Sequence, residues 1–188
     1  MRYIIVDLEA TCWKQRTQPE RMEIIEIGSI LLTGRSLEVT DEFSRFVRPI
    51  NEPILSEFCK ELTSIKQSDI DGANYFKTVF AEFMDWIGDA SYRICSWGEY
   101  DMKQFRIDCK RHGISFPKRF KKHINLKQEF ASIKRIRSCG MAVALQMLGM
   151  PLHGKHHRAI DDVRNIAKIA KEIIPMTNYF ISNYLLKD

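Results

Sequence analysis

The segment Tyr3 to Leu8 is short and almost wholly apolar, yet it carries Asp7 and is followed at once by Glu9. A run of this length and composition predicts a strand covered on both faces, which commits the chain to a layered architecture. Strand alternation sets Ile5, Asp7 and Glu9 on one face and Ile4, Val6 and Leu8 on the other. Two acids therefore project from the same side of a central strand. Burying ionised carboxylates is costly without a compensating positive charge, and two side by side repel. Either Glu9 lies beyond the strand in solvent while Asp7 caps a turn, or the pair faces a cleft and holds a hard cation such as Mg²⁺ or Mn²⁺.

The order of the remaining elements narrows the fold. Glu26 to Leu32 and Glu42 to Val47 are β-rich runs joined through Thr33-Gly34-Arg35-Ser36, a turn-forming cluster. After Pro53 the period becomes helical, with Leu55, Phe58 and Leu62 and then a stronger stripe of Phe76, Val79, Phe80, Phe83, Met84 and Ile87. That stripe reads as core packing. Arg93 to Trp97 is a further buried strand, and helices are expected over Met102 to His112, Cys139 to Leu148 and Arg158 to Ile174. Strands first, then helices interleaved with strands, predict an α/β sandwich on a mixed sheet.

Composition excludes several classes. With 188 residues, 45% hydrophobic and only nine Gly and six Pro, the chain is one globular domain, neither disordered nor collagen-like. No apolar run is long enough to span a membrane. No secretory signal stands before the first strand, and the five cysteines are odd in number, scattered and never in a Cys-x-x-Cys spacing. They read as reduced thiols of a cytoplasmic protein. The net charge of +5 is unevenly spread: Lys103 to Arg137 holds twelve Lys/Arg against Asp108 and Glu129, which is +10 there and −5 elsewhere. Such a segment is either a solvated face or the footprint of a polyanion.

Further acids and histidines stand where chemistry is plausible. On the last helix, Asp162 shares a side with Ile166, Ile169 and Ile173, whereas Asp161 lies with Asn165, Lys168 and Glu172. Asp162 is thus the acid on the apolar face, unless it only complements the positive end of the helix dipole. Asp101 follows a strand and precedes a helix, which makes N-capping its default role. His153, His156 and His157 ordinarily read as surface residues; their crowding also raises a transition-metal site, although no Cys lies near.

Three motifs occur in order: VDLEAT at Val6 to Thr11, SWGEYD at Ser96 to Asp101, and HRAIDD at His157 to Asp162. Together they resemble the three exonuclease motifs of the DEDDh, or DnaQ-like, 3′-to-5′ exonucleases, over about residues 1 to 174. Cys12 after EAT, LSEFCKELTSI from Leu55 to Ile65, and the Trp-Gly before Asp101 are similar to the subgroup of bacterial KapD-like proteins and eukaryotic enhanced-RNAi exonucleases. Those animal relatives trim RNA 3′ ends. The usual Leu-Thr-Gly-Ile reads Leu62-Thr63-Ser64-Ile65 here.

The resemblance implies a ribonuclease H-like, mixed five-stranded sheet flanked by helices. The exonuclease domain is expected over residues 1–175, and the tail over 176–188, unusually apolar for a terminus through Met176, Tyr179, Phe180, Ile181, Tyr184, Leu185 and Leu186, is expected to pack on the domain or to form a homodimer contact. The resemblance also implies that Asp7, Glu9, Asp101 and Asp162 hold two divalent cations, Mg²⁺ or Mn²⁺, and that His157 is the general base. Two-metal hydrolysis agrees, since acids must bridge ions about 3.5–4 Å apart, and an imidazole with a pKa near 6.5 can accept a proton at neutral pH. The backbone at Glu9 and Ala10, with Thr11, is expected to meet the terminal nucleotide, and Phe58 and Trp97 either to stack on or wall its base or to pack in the core. Lys118, Arg119, Lys121 and Lys122 would follow the upstream phosphates, with Phe116 and Phe120 stacking or anchoring. The expected partners are single-stranded RNA or DNA 3′ ends and the nucleoside 5′-monophosphate product, with no membrane. Competing readings are a non-catalytic nucleic-acid-binding or partner-docking module and a polymerase-associated proofreading subunit. A full set of acids and histidine favours catalysis.

Overall fold

The computed structural model describes residues 1–15 and 18–180. Five strands form one sheet in the order β3-β2-β1-β4-β5: β1 (Arg2–Ala10), β2 (Ile24–Thr33), β3 (Glu38–Phe46), β4 (Tyr92–Ser96) and the two-residue β5 (Ile124–Asn125). β1 to β3 form an antiparallel meander, while β4 joins β1, and β5 joins β4, in parallel. This is the mixed sheet that the element order predicts.

The alternation along β1 divides the core as expected. Ile4, Val6 and Leu8 pack with Phe76, Phe80 and Phe83 of α3 (Phe76–Ile87) and Phe105 of α4 (Tyr100–Arg111). Tyr3 and Ile5 pack on the opposite face. Their neighbours there are Phe130 of a helix over Leu126–Lys134, Leu145 of a helix over Met141–Met147, and Val163, Ile166 and Ile169 of the long helix Ala159–Phe180. With the short helices α1 (Glu57–Thr63) and α2 (Gln67–Asp71) ahead of α3, these last three are α5, α6 and α7.

Several boundaries differ from the sequence expectation. β3 starts four residues early because Glu38, Val39 and Thr40 are exposed on an edge strand, where no apolar pattern marks it. α4 starts at Tyr100, and β5 and α5 fall inside the basic segment, where charged residues mask a stripe of three buried residues, Leu126, Phe130 and Ala131. α7 continues through Pro175 to Phe180, so the expected helix end at Ile174 is superseded. Proline removes one main-chain bond and strains the turn before it, yet Ile166, Ile169 and Ile173 already tie the preceding turns to the sheet. Most of the apolar tail, residues 181–188, lies outside the described residues. No helix of the described chain is long and apolar enough to cross a membrane.

The approach of α7 to the sheet determines the site. Gly28 on β2 faces the first turn of α7 so closely that a Cβ would lie 2.4 Å from the Ala159 carbonyl carbon. Beside it, the buried Glu26 accepts from the Arg158 guanidinium Nε at 3.1 Å and from the Ala159 N–H at 3.1 Å. An acid at a helix N-terminus satisfies an otherwise unpaired donor and complements the dipole. Together they hold the start of α7 over the carboxyl-terminal half of β1.

Candidate active site

A cavity of about 360 Å³ opens where β1 ends, lined by Asp7, Glu9, Ala10, Trp97, Asp101, His157 and Asp162 among others. Asp7 stands opposite Gly28 in the sheet register and Glu9 opposite Glu26, and a bulge follows between Glu9 and Ala10. Carboxylate oxygens of Asp7, Glu9 and Asp162 lie within 4.8 Å of one another. Glu9 is 8% exposed, so it lies within the cleft and not beyond the strand in solvent.

Asp101 arrives from the other side of β1. It does not cap α4, where Glu99 holds the cap position. Instead its Oδ1 accepts the Leu8 N–H at 3.1 Å, between the two acids of β1 in sequence. The Asp162 carboxylate accepts the His157 N–H at 3.0 Å. His157 itself adopts a left-handed φ of 65° on the turn entering α7.

The electrostatics are those of acids crowded together, with no counter-charge among the described residues that shift them. Burial first, then the charges of Asp101, Glu9 and Asp162, hold Asp7 well above the usual carboxylate range. Burial, then Asp162 and Glu26, push Glu9 up to about 9. Burial raises Asp101 to about 6 against hydrogen bonds that oppose the shift. Among the described residues, neither lysine nor arginine lines the cavity. A cluster of oxygen donors with this excess of negative charge is chemically suited to a hard divalent cation.

Some expected residues hold other places. Thr11 does not line the cavity; its hydroxyl is buried and accepts the Glu23 N–H at 3.0 Å, fastening the end of β1 to the entry of β2. Phe58 is half-buried on α1, and Leu62, one turn nearer, forms the wall in its stead. Trp97 does line the cavity while packing on Phe130 at 5.8 Å, and its Nε1 donates to the Cys139 carbonyl at 3.1 Å. Phe120 is core and Phe116 packs edge-on against it. Lys118, Arg119 and Lys122 surround a separate hollow with Tyr92 and Arg93 at the start of β4, the end away from Trp97.

The sequence reading missed Leu62, Tyr100 and Met22 as wall residues. Tyr100 stands inside SWGEYD beside Asp101, so adjacency was the available signal. Met22 has none: it reaches the rim because its carbonyl is held by Gln104 and Arg111 of α4, both at 2.9 Å. His156 is exposed, as expected of a surface residue, and its Nδ1 also lies 3.0 Å from Asp162 Oδ1.

A mixed sheet of this order, with acids converging from β1, α4 and α7, is the ribonuclease H-like fold of nuclease domains. The chain belongs to the RNase T exonuclease family, whose model, described as Exonuclease, matches residues 4–170. It is 34% identical to 3′-5′ exoribonuclease 1 of Rattus norvegicus, over 90% of this chain and 52% of that protein. It is 30% identical to ERI1 exoribonuclease 2 of Homo sapiens, over 91% of this chain and 28% of that one. The chain thus spans about half the length, or less, of these curated relatives. Among solved structures, the nuclease domain of 3′hExo, a DEDDh family member bound to rAMP, superposes with a TM-score of 0.87 at 32% identity, covering 93% of this chain and 92% of that one. The DEDDh family depends on divalent metal, which the donor set here fits.

Proposed function

We propose that the chain is a 3′-to-5′ exonuclease that hydrolyses phosphodiester bonds at single-stranded 3′ ends, RNA in preference to DNA, and releases nucleoside 5′-monophosphates. The observation that carries this reading is the convergence of Asp7, Glu9 and Asp162 within 4.8 Å at the floor of a cavity that His157 also lines. The preference for RNA rests on relatives named exoribonucleases and on the rAMP held by 3′hExo.

Asp7, Glu9 and Asp162, with Asp101 behind them, would hold two ions, Mg²⁺ or Mn²⁺. When bound, these supply Lewis acidity toward the scissile phosphate and the attacking and leaving oxygens. His157 accepts the proton of the attacking water. Burial keeps His157 below the usual histidine range, so the neutral, accepting form persists at neutral pH. The main chain at Glu9 and Ala10 meets the terminal nucleotide, while Trp97 and Leu62 wall the base without reading its identity.

Labelled single-stranded RNA, single-stranded DNA and duplexes with 3′ overhangs, digested side by side in Mg²⁺ and Mn²⁺, test the reading. The expected result is one-nucleotide laddering from the 3′ end, fastest on single-stranded RNA. His157→Ala should keep oligonucleotide affinity while lowering the rate by about 10²–10⁴-fold. Unchanged turnover in that variant would refute the assigned base.

A further inference from the structure

His156 precedes the HRAIDD motif and does no work in the mechanism above, yet it is placed with unusual care for a half-exposed side chain. Its Nδ1 lies 3.0 and 3.1 Å from the two carboxylate oxygens of Asp162. Its ring lies face to face with that of His157, centroids 4.0 Å apart and planes 23° apart. One ligand atom from each of His156, His157 and Asp162 falls within a 4.8 Å set. The left-handed φ of 65° at His157 belongs to the turn that brings these two neighbouring side chains to the same carboxylate.

The chemistry of this set differs from that of the acids behind it. Asp7, Glu9 and Asp162 offer only oxygen, which suits Mg²⁺ and Mn²⁺. His156, His157 and Asp162 offer two imidazole nitrogens and one carboxylate, a donor set favoured by Zn²⁺, with a fourth position left for solvent. The two sets share Asp162, and the second consumes the His157 lone pair. The 43% exposure of the His156 side chain leaves the position open to an ion arriving from solvent.

We propose that His156, His157 and Asp162 form a second metal site, selective for zinc, whose occupation withdraws His157 and Asp162 from catalysis. The inhibitory half rests on the exonuclease reading; the binding half does not. His156 is then the residue that converts the rim of the active site into a zinc sensor.

Zinc binding is measured by competition with a chromophoric zinc chelator, in excess Mg²⁺ so that the oxygen-only positions are occupied. The wild-type chain should bind one Zn²⁺, and His156→Ala and His156→Gln should each weaken it by at least about tenfold. In parallel digests each variant, scored against its own zinc-free Mg²⁺-supported rate, should need at least about tenfold more zinc for half-inhibition than the wild type. Equal zinc affinity in the wild type and both variants overturns the site. Lost affinity with unchanged zinc inhibition overturns the switch. A chain without nuclease activity refutes the function proposed above but leaves the chelator titration decisive for the site.

Discussion

The acids of the cavity act against the fold that carries them. Asp7 and Glu9 are held above the usual carboxylate range by burial first and then by the neighbouring acids, Asp101 foremost for Asp7 and Asp162 for Glu9. Their unfolded values are about 3.9 and 4.3, so the folded, metal-free chain binds protons more tightly than the unfolded one. Stability from these groups is complete below about pH 4 and is lost as pH rises, for Glu9 until about 9. Melting temperature in a chelator should therefore fall from pH 5 to pH 8, and Glu9→Gln should flatten that fall. Parallel slopes in thermal scans of the two proteins would contradict this account. At the same scale, Ser64 ends α1 in the left-handed region at φ 63°, where the resembled pattern has glycine. Ser64→Gly should raise stability by about 0.5–1 kcal/mol in urea titration. The departure in Leu62-Thr63-Ser64-Ile65 was visible in the sequence; the strain it entails required the backbone angle.

At the scale of elements, the site depends on how α7 meets β2. Gly28 leaves no room for a Cβ beneath the Ala159 backbone. The first turn of α7 carries Asp162 and is entered from His157. Gly28→Ala should push that turn away from the sheet, costing about 1–3 kcal/mol as overpacking. It should lower kcat more than it raises KM, because wall residues from other elements remain. Equal stability and kcat in the variant would show that the helix adjusts elsewhere. Strands β1, β2 and β4 and the helices α3 and α7 were legible because a buried face imposes its period on the sequence. The α5 helix and β5 strand were not, since α5 buries only three residues amid charges and β5 spans two. The Glu26 to Arg158 pairing was equally hidden, because 132 residues separate partners that nothing local relates.

Across the whole molecule, the cations of the basic segment divide between two places. Lys118, Arg119 and Lys122 gather at the far end of β4, four residues from the cavity along a strand that rises about 3.3 Å per residue. Lys103, Arg106 and Lys110 instead lie exposed along α4, whose first turn supplies Tyr100 and Asp101 to the cavity. Spacing of three and four residues gives these cations one helix face, and Arg106 is braced over the Phe116 ring at 4.7 Å. A strand leaving the cavity over this face would meet Lys103 and Arg106 before any cation of the 118–122 turn. Each phosphate contact on a single strand contributes a salt slope of about −0.7 in log affinity against log salt. Lys103→Ala with Arg106→Ala should therefore flatten the slope for a ten-nucleotide strand by about 1.4 while leaving a trinucleotide's affinity nearly unchanged. Fluorescence anisotropy across a salt series, in the His157→Ala background to prevent digestion, measures both. If Lys118→Ala with Lys122→Ala gives the larger change, the strand runs instead along β4 and the acidic cavity is served from the opposite end of the sheet.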